Sequence, residues 1–222
     1  MDACIRVVCR GTAVCHRVFE EMHAKRALVS LACLAAVAAG ETNVLLVVVD
    51  NLRPSLSSYT NHEALTPEID ALYNSGNATL FSNAFCQIAW CAPSRNSFLT
   101  GRDPSQTLAF NFRDSFREAG IGNNWTTLPE YFKKAGYYTT SVGKIFHPGL
   151  PKDFDYPRSW SDEPFFPIKP SCPKNTMSCR LESERDSVDF LTLQEAERRL
   201  RSFNMTRRGT VGTDQEHIFM AV

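Results

Sequence analysis

The run NVLLVVVD at residues 43–50 constrains this chain more than any other stretch. It is apolar without interruption from Val44 to Val49 and rich in valine. Such a run suits a strand covered on both faces in a parallel sheet. Asp50 then stands at the carboxyl end of that strand, where open parallel sheets place their ligands.

Strand and helix signals alternate through the rest of the chain. Thr66, Pro67 and Glu68 supply an N-cap, a first-turn proline and a first-turn acid for a short helix, with Ile69 and Leu72 inward and Gly76 just past its end. ATLFSNAF (78–85) reads as a second strand, and PSRNSFLT (93–100) as a helix closed by Gly101, with Cys91 near its amino end. Thr127 and Glu130 have capping-box spacing, and Leu128, Tyr131, Phe132 and Ala135 follow at helical intervals. YYTTSV (137–142) is the next strand and delivers GKIFH at its carboxyl end.

Residues 149–173 shift to proline, aromatic and acidic composition and read as a long irregular excursion. Val188, Leu191, Ala196, Leu200 and Phe203 mark an amphipathic helix whose Arg198, Arg199 and Arg201 read as a solvated face. HIFMAV (217–222) begins another buried strand. The alternation predicts an α/β fold with a mostly parallel central sheet. With 222 residues, 43% of them hydrophobic, the chain can bury a sizeable core.

Lys plus Arg and Asp plus Glu both number 24, so no net field steers the chain to nucleic acid or to a membrane surface. A polyanionic substrate has to meet a local cluster of cations instead. Lys25 and Arg26 precede the apolar run ALVSLACLAAVAA (27–39), which ends in small residues and reads as a secretory signal peptide over 22–39. That run is shorter than the about 20 residues needed to span a bilayer, which disfavours a membrane anchor. Met22 is the expected initiator, which makes residues 1–21 a spurious or extended N-terminus and 40–222 the folded part.

Asn77, Asn124 and Asn204 each head an Asn-x-Thr sequon, the acceptor for N-glycosylation in a chain that enters the secretory pathway. Removal of the signal leaves Cys86, Cys91, Cys172 and Cys179. In an oxidising compartment the pair in CPKNTMSC, Cys172 and Cys179, is the expected disulfide. Cys86 reads as a small buried residue, Trp90 as a pocket-lining or packing residue, and His62 and His217 as structural.

Cys91 is the residue most closely framed by its neighbours. A thiolate at a helix amino end is favoured by backbone N–H groups and could act as an ordinary nucleophile with His147 as base. That reading leaves Pro93, Ser94 and the Leu99-Thr100-Gly101 tail unexplained. The whole stretch CAPSRNSFLTG (91–101) resembles the signature Cys-x-Pro-Ser-Arg-x-x-x-Leu-Thr-Gly of the sulfatase family at every fixed position. NVLLVVVDNLRPSL, NAFCQIAWCAPSRNSFLTGR and SVGKIFHPG further resemble, in order and spacing, the lysosomal branch of that family that removes 2-O-sulfate from iduronate in heparan and dermatan sulfate.

The resemblance implies an alkaline-phosphatase-like α/β sandwich, here C-terminally incomplete. It implies that Cys91 is oxidised to formylglycine by the formylglycine-generating enzyme, and that the hydrated aldehyde attacks sulfur, expels the sugar alcohol and then releases sulfate. Asp50, Asn51 and the modified Cys91 would be ligands of a Ca²⁺ ion, a hard cation held by oxygens. Arg95 would stabilise the deprotonated hydroxyl, Lys144 would neutralise sulfate charge, and His147 would assist the elimination. The substrate would be a sulfated glycosaminoglycan oligosaccharide and the location the lysosome or the cell exterior.

Two departures accompany the resemblance. Asn51 stands where this group carries a second aspartate, which keeps an oxygen ligand and loses a charge. A further histidine, an Asp-His pair and a second sulfate-binding lysine are expected beyond Val222. Three alternatives stay open: a catalytically inactive sulfatase-like chain that binds glycans without turnover, a sulfatase of different sugar specificity, and a metal-dependent phosphohydrolase, which usually carries Thr or Ser as nucleophile.

Overall fold

The computed structural model describes residues 4–7, 42–61, 63–117, 121–167, 180–205 and 217–222. The expected signal peptide, His62, Cys172 and Cys179 lie outside the described residues. Among the described residues the sheet has four strands: β1 (Cys4–Val7), β2 (Val44–Val49), β3 (Tyr138–Ser141) and β4 (Ile218–Ala221), in the order β1-β2-β4-β3. β4 pairs in parallel with β2, Val44 opposite Phe219, and with β3, Tyr138 opposite Ile218. β1 runs antiparallel along the other edge of β2. The helices are α1 (Pro67–Asn74), α2 (Cys91–Thr100), α3 (Pro104–Thr107), α4 (Leu128–Lys134) and α5 (Val188–Met205).

The expected parallel core is present, and β4 is buried along its whole length. β2 departs from expectation. Leu46 and Val48 are buried, whereas Leu45, Val47 and Val49 are exposed. One face of β2 packs into a cluster with Leu99, Phe116, Ile145, Phe146, Trp160, Phe219 and Ala221. The opposite face of the sheet is covered at β3 and β4, where Val142, Ile218 and Met220 meet Ala196 and Phe203 of α5. Among the described residues nothing extends that cover to β2.

Residues 78–85 form no strand, contrary to the pattern of ATLFSNAF. A strand needs a partner edge, and this segment joins neither edge of the sheet; Phe81 and Phe85 are exposed. α1 likewise buries none of its residues, and Leu72 faces outward. α4 has the predicted capping box, with the Thr127 hydroxyl accepting from the Glu130 N–H at 3.2 Å and the Glu130 carboxylate accepting from the Thr127 N–H at 3.3 Å. Its Leu128 and Tyr131 are exposed while Phe132 packs on the core.

The excursion after β3 is irregular through residue 167 apart from a 3₁₀ turn at Lys152–Asp155, yet it contributes fully buried Trp160 to the core. Asp155 accepts from Arg117 at 2.7 and 2.6 Å and from the Ser159 hydroxyl, which ties the excursion to the loop before α4. Glu130 accepts from Arg117, Lys134 and Arg158 in the same network. Burial pushes the Glu130 carboxyl up, but the hydrogen bonds from Lys134 and Arg158 outweigh it and hold it below the usual range.

Arg199 overturns the reading of a solvated face. Its side chain is 11% exposed. It donates to Glu195 at 2.7 Å, to the Thr140 hydroxyl at 2.7 Å, to Asp162 at 2.7 Å and to the Glu163 carbonyl at 2.9 Å. One guanidinium therefore pins α5 to the end of β3 and to the excursion.

Glu195 is held down to about 2 by the hydrogen bond from Arg198, opposed by burial and reinforced by Arg199. A carboxylate depressed in the folded state contributes stability above its unfolded value and loses it as pH falls toward the folded one. Because Arg198 is 64% exposed and solvent-screened, the shift is worth ~1 to 2 kcal/mol. Glu195→Gln is expected to flatten the acid limb of the melting temperature between about pH 4.5 and about pH 2, the span from the ordinary value to the folded one. Melting curves of the two proteins across that range provide the check; identical acid limbs would contradict it.

Candidate functional site

Three elements converge where β2 ends. Asp50 follows β2 directly, and the chain then turns through Asn51 at φ 58. Asparagine is among the few residues that tolerate this left-handed conformation. The turn leaves Asp50 and Asn51 facing the amino end of α2 across a cavity of about 40 Å³, lined also by Trp90, Cys91, Ser94 and Arg95.

α2 is a rigid mount for Cys91. Eight of its residues are buried, including the polar Ser94, Arg95, Asn96 and Ser97. Asn96 donates to the Ala92 carbonyl at 2.8 Å and accepts from the Phe116 N–H at 3.4 Å, and Gly101 closes the helix at φ 65. Trp90, in the N-cap position, provides no side-chain cap. The first-turn N–H groups of α2 thus lack a capping side chain, and its first residue, Cys91, lines the cavity.

Arg95 is one turn on from Cys91 and 1% exposed. It donates to the carbonyls of Lys144 and of Ile145, the latter at 3.0 Å, and to Asp50 Oδ1 at 2.9 Å. Lys144 Nζ donates to Asp50 Oδ2 at 2.9 Å. The Cys91 thiol donates to Asp50 Oδ1 at 3.7 Å. Burial pushes the Asp50 carboxyl up, and the hydrogen bonds from Lys144 and Arg95 overcome that and hold it below the usual range. One carboxylate facing two cations leaves the cluster with an excess positive charge, suited to an anion.

The backbone that carries Lys144 makes a turn only glycine accepts comfortably. Gly143 has φ +78, its N–H donates to the Phe165 carbonyl at 2.7 Å, and a Cβ would lie 3.0 Å from Thr192 Cγ2. Gly143→Ala is expected to cost ~1 to 3 kcal/mol from the backbone conformation, with the methyl contact adding to it. Thr192→Ala in the same chain should recover only the contact. Urea unfolding of the single and double variants measures both parts.

His147 stands on the rim of the same site. Its Nδ1 lies 3.2 Å from the Pro148 carbonyl. A carbonyl only accepts, so Nδ1 carries the proton and Nε2 keeps a free lone pair in the neutral ring. Burial, and then the charge of Lys144, push its pKa below the ordinary value. The ring stacks on Phe112 at 4.6 Å, and Phe112 meets Trp90 edge to face at 4.9 Å.

The structure thus brings Asp50, Asn51, Cys91, Arg95, Lys144 and His147 to one end of the sheet. Cys86 is half-buried, not buried, and lines a separate cleft of about 340 Å³ along α2 with Ser94, Ser97, Phe98, Arg102 and Asp103. His217 stays in the core region beside Tyr137, 5.4 Å between rings. The three sequon asparagines are all exposed. Phe112 went unnoticed in the sequence, where the alternation Leu108, Phe110, Phe112 was its only signal.

Among the described residues there is no group of three or more His, Cys, Asp and Glu side chains able to hold a metal. For a calcium ion, which takes 6 to 8 oxygens, Asp50 and Asn51 are donors of the right kind, and among the described residues lining the cavity the one further side-chain oxygen is the Ser94 hydroxyl. No described helix is long and apolar enough to cross a membrane.

A family model described as Sulfatase matches residues 42–165. Iduronate 2-sulfatase of Homo sapiens is 48% identical over 141 residues, which is 62% of this chain and 24% of that protein. The Mus musculus protein of the same name is 46% identical over 140 residues, with the same shares of the two chains covered. A sulfatase of Formosa agariphila is 36% identical over 110 residues, 47% of this chain and 21% of that protein. The matched region thus spans about a quarter of the length of these relatives.

Proposed function

This chain belongs to the sulfatase family, and we propose that it carries the nucleophile and first sulfate contacts of a sulfuric ester hydrolase acting on 2-O-sulfated iduronate in heparan and dermatan sulfate. The observation that carries the reading is the meeting of Cys91, Arg95 and Lys144 on the single carboxylate of Asp50. Similarity to the two iduronate 2-sulfatases supports the named sugar.

The family generally uses a formylglycine and a metal ion, and here the conversion of Cys91 would supply the oxygen nucleophile while Asp50 and Asn51 would hold the cation. Arg95 fixes Asp50 and the Lys144 backbone relative to Cys91, so the nucleophile and the cation contacts stay in register. Lys144 shares its ammonium between Asp50 and an incoming sulfate, whose charge it lowers as the sugar oxygen departs. His147, whose Nδ1 is taken up by the Pro148 carbonyl, would accept a proton at Nε2 in the elimination step. The formylglycine-generating enzyme is the implied partner, and the secretory pathway, ending in the lysosome or outside the cell, is the implied location.

A second reading is a glycan-binding relative without turnover, favoured by Asn51 in place of an aspartate and by the single carboxylate, Asp50, among the described residues lining the cavity. Release of sulfate from a disaccharide bearing 2-O-sulfated iduronate, compared with one sulfated only on glucosamine, separates the two. Release from the first alone is expected. Cleavage of the second alone would contradict the named sugar, and binding of the first without any release would favour the second reading.

A further inference from the structure

The cavity beside Cys91 measures about 40 Å³. A water needs roughly 10 to 15 Å³ in such a space, so it takes a group the size of a few waters and excludes a sugar ring. If the site takes a sulfated saccharide, as proposed above, the sulfate enters and the ring rests on the rim. Two large side chains adjoin the cavity, Trp90 in its lining and Phe112 in contact with Trp90. Trp90, which lines the cavity and precedes Cys91, is 48% exposed, and Phe112 is 42% exposed.

Both rings are held in place. Trp90 has extended backbone at the start of α2. Phe112 follows Asn111, whose side chain accepts from the Arg113 N–H at 2.7 Å and donates to Asp114 at 2.8 Å. The loop begins at Leu108, in a left-handed conformation at φ 53, a strain that a branched residue adopts rarely. The edge-to-face contact with Trp90 and the stacking on His147 then set the plane of Phe112. Asp50, Asn51, Ser94 and Arg95 give the cavity a polar floor, Lys144 pairs with Asp50 beside it, and an aromatic side wall completes the usual make-up of a site for a small polar ligand with an apolar face.

We propose that Trp90 and Phe112 form an aromatic wall that takes the C–H face of the sugar ring bearing the sulfate. Recognition of the ring then comes from this wall, and recognition of the sulfate from Lys144 and the amino end of α2. This assignment rests on the sulfatase reading.

Calorimetric titration of the whole chain with a disaccharide of 2-O-sulfated iduronate, and separately with inorganic sulfate, tests it. Phe112→Leu and Trp90→Leu are expected to weaken disaccharide binding about tenfold, the order of an aromatic contact of this kind. Phe112→Tyr should restore it. Phe112→Leu should bind inorganic sulfate as the unsubstituted chain does, which also shows that the variant is folded. Disaccharide binding unchanged in both leucine variants, or no tighter than sulfate in the unsubstituted chain, would overturn the wall while the sulfate site stands. Absence of sulfate binding in the unsubstituted chain would overturn the sulfate site and the wall with it.

Discussion

Cys91→Ala is expected to abolish sulfate release, by at least about a thousandfold, as removal of a covalent nucleophile does elsewhere. The fold should be unaffected. Cys91 is only half-buried, and among the described residues its one polar side-chain contact is the long 3.7 Å approach to Asp50. Loss of the sulfur removes little apolar area, while Arg95 and Lys144 still pair with Asp50. Matching melting curves alongside lost turnover would therefore assign Cys91 to chemistry. Retained turnover in the variant would place the nucleophile elsewhere.

Arg95→Ala carries the opposite signature, a large loss of stability. The side chain is 1% exposed and serves two carbonyls and one carboxylate. Truncation leaves the Lys144 and Ile145 carbonyls without this donor, leaves Asp50 with one cation and opens a cavity in a nearly wholly buried helix. Asp50 is 36% exposed, so its pair with Arg95 is solvent-screened, and the main cost is the two carbonyls left without this donor, ~1 to 3 kcal/mol each. Arg95→Lys keeps the charge but cannot reproduce the planar fork across three acceptors, so an intermediate loss is expected. Urea unfolding reads both variants, and a midpoint for Arg95→Ala equal to that of the unsubstituted chain would contradict the cross-link.

Much of the site was legible because its spacing is local. Cys91 and Arg95 are four residues apart, and the helix, which starts at Cys91, two residues before the stretch read from the sequence, puts them on one side. The valine run predicted β2 and the strand-end place of Asp50, and the residues of α4's capping box were written in order. Where the reading missed, the deciding partner lay far along the chain. Arg199 looked solvated because nothing near it in sequence shows that Thr140 and Asp162 come to meet it. Residues 78–85 alternate like a strand, but alternation cannot supply an edge to pair with. β2 was expected to be covered on both faces, and α5 reaches only its neighbours. Phe112 acquires its place through stacking on His147, a contact no local pattern encodes.

The central claim is that Cys91 becomes the formylglycine nucleophile of a sulfatase. Peptide mapping of the protein secreted from cells with active formylglycine-generating enzyme tests it most directly. The account predicts that the peptide spanning Cys91 has lost its sulfur and reacts as an aldehyde with a hydrazide probe. A quantitatively unmodified Cys91 thiol in that peptide would contradict it.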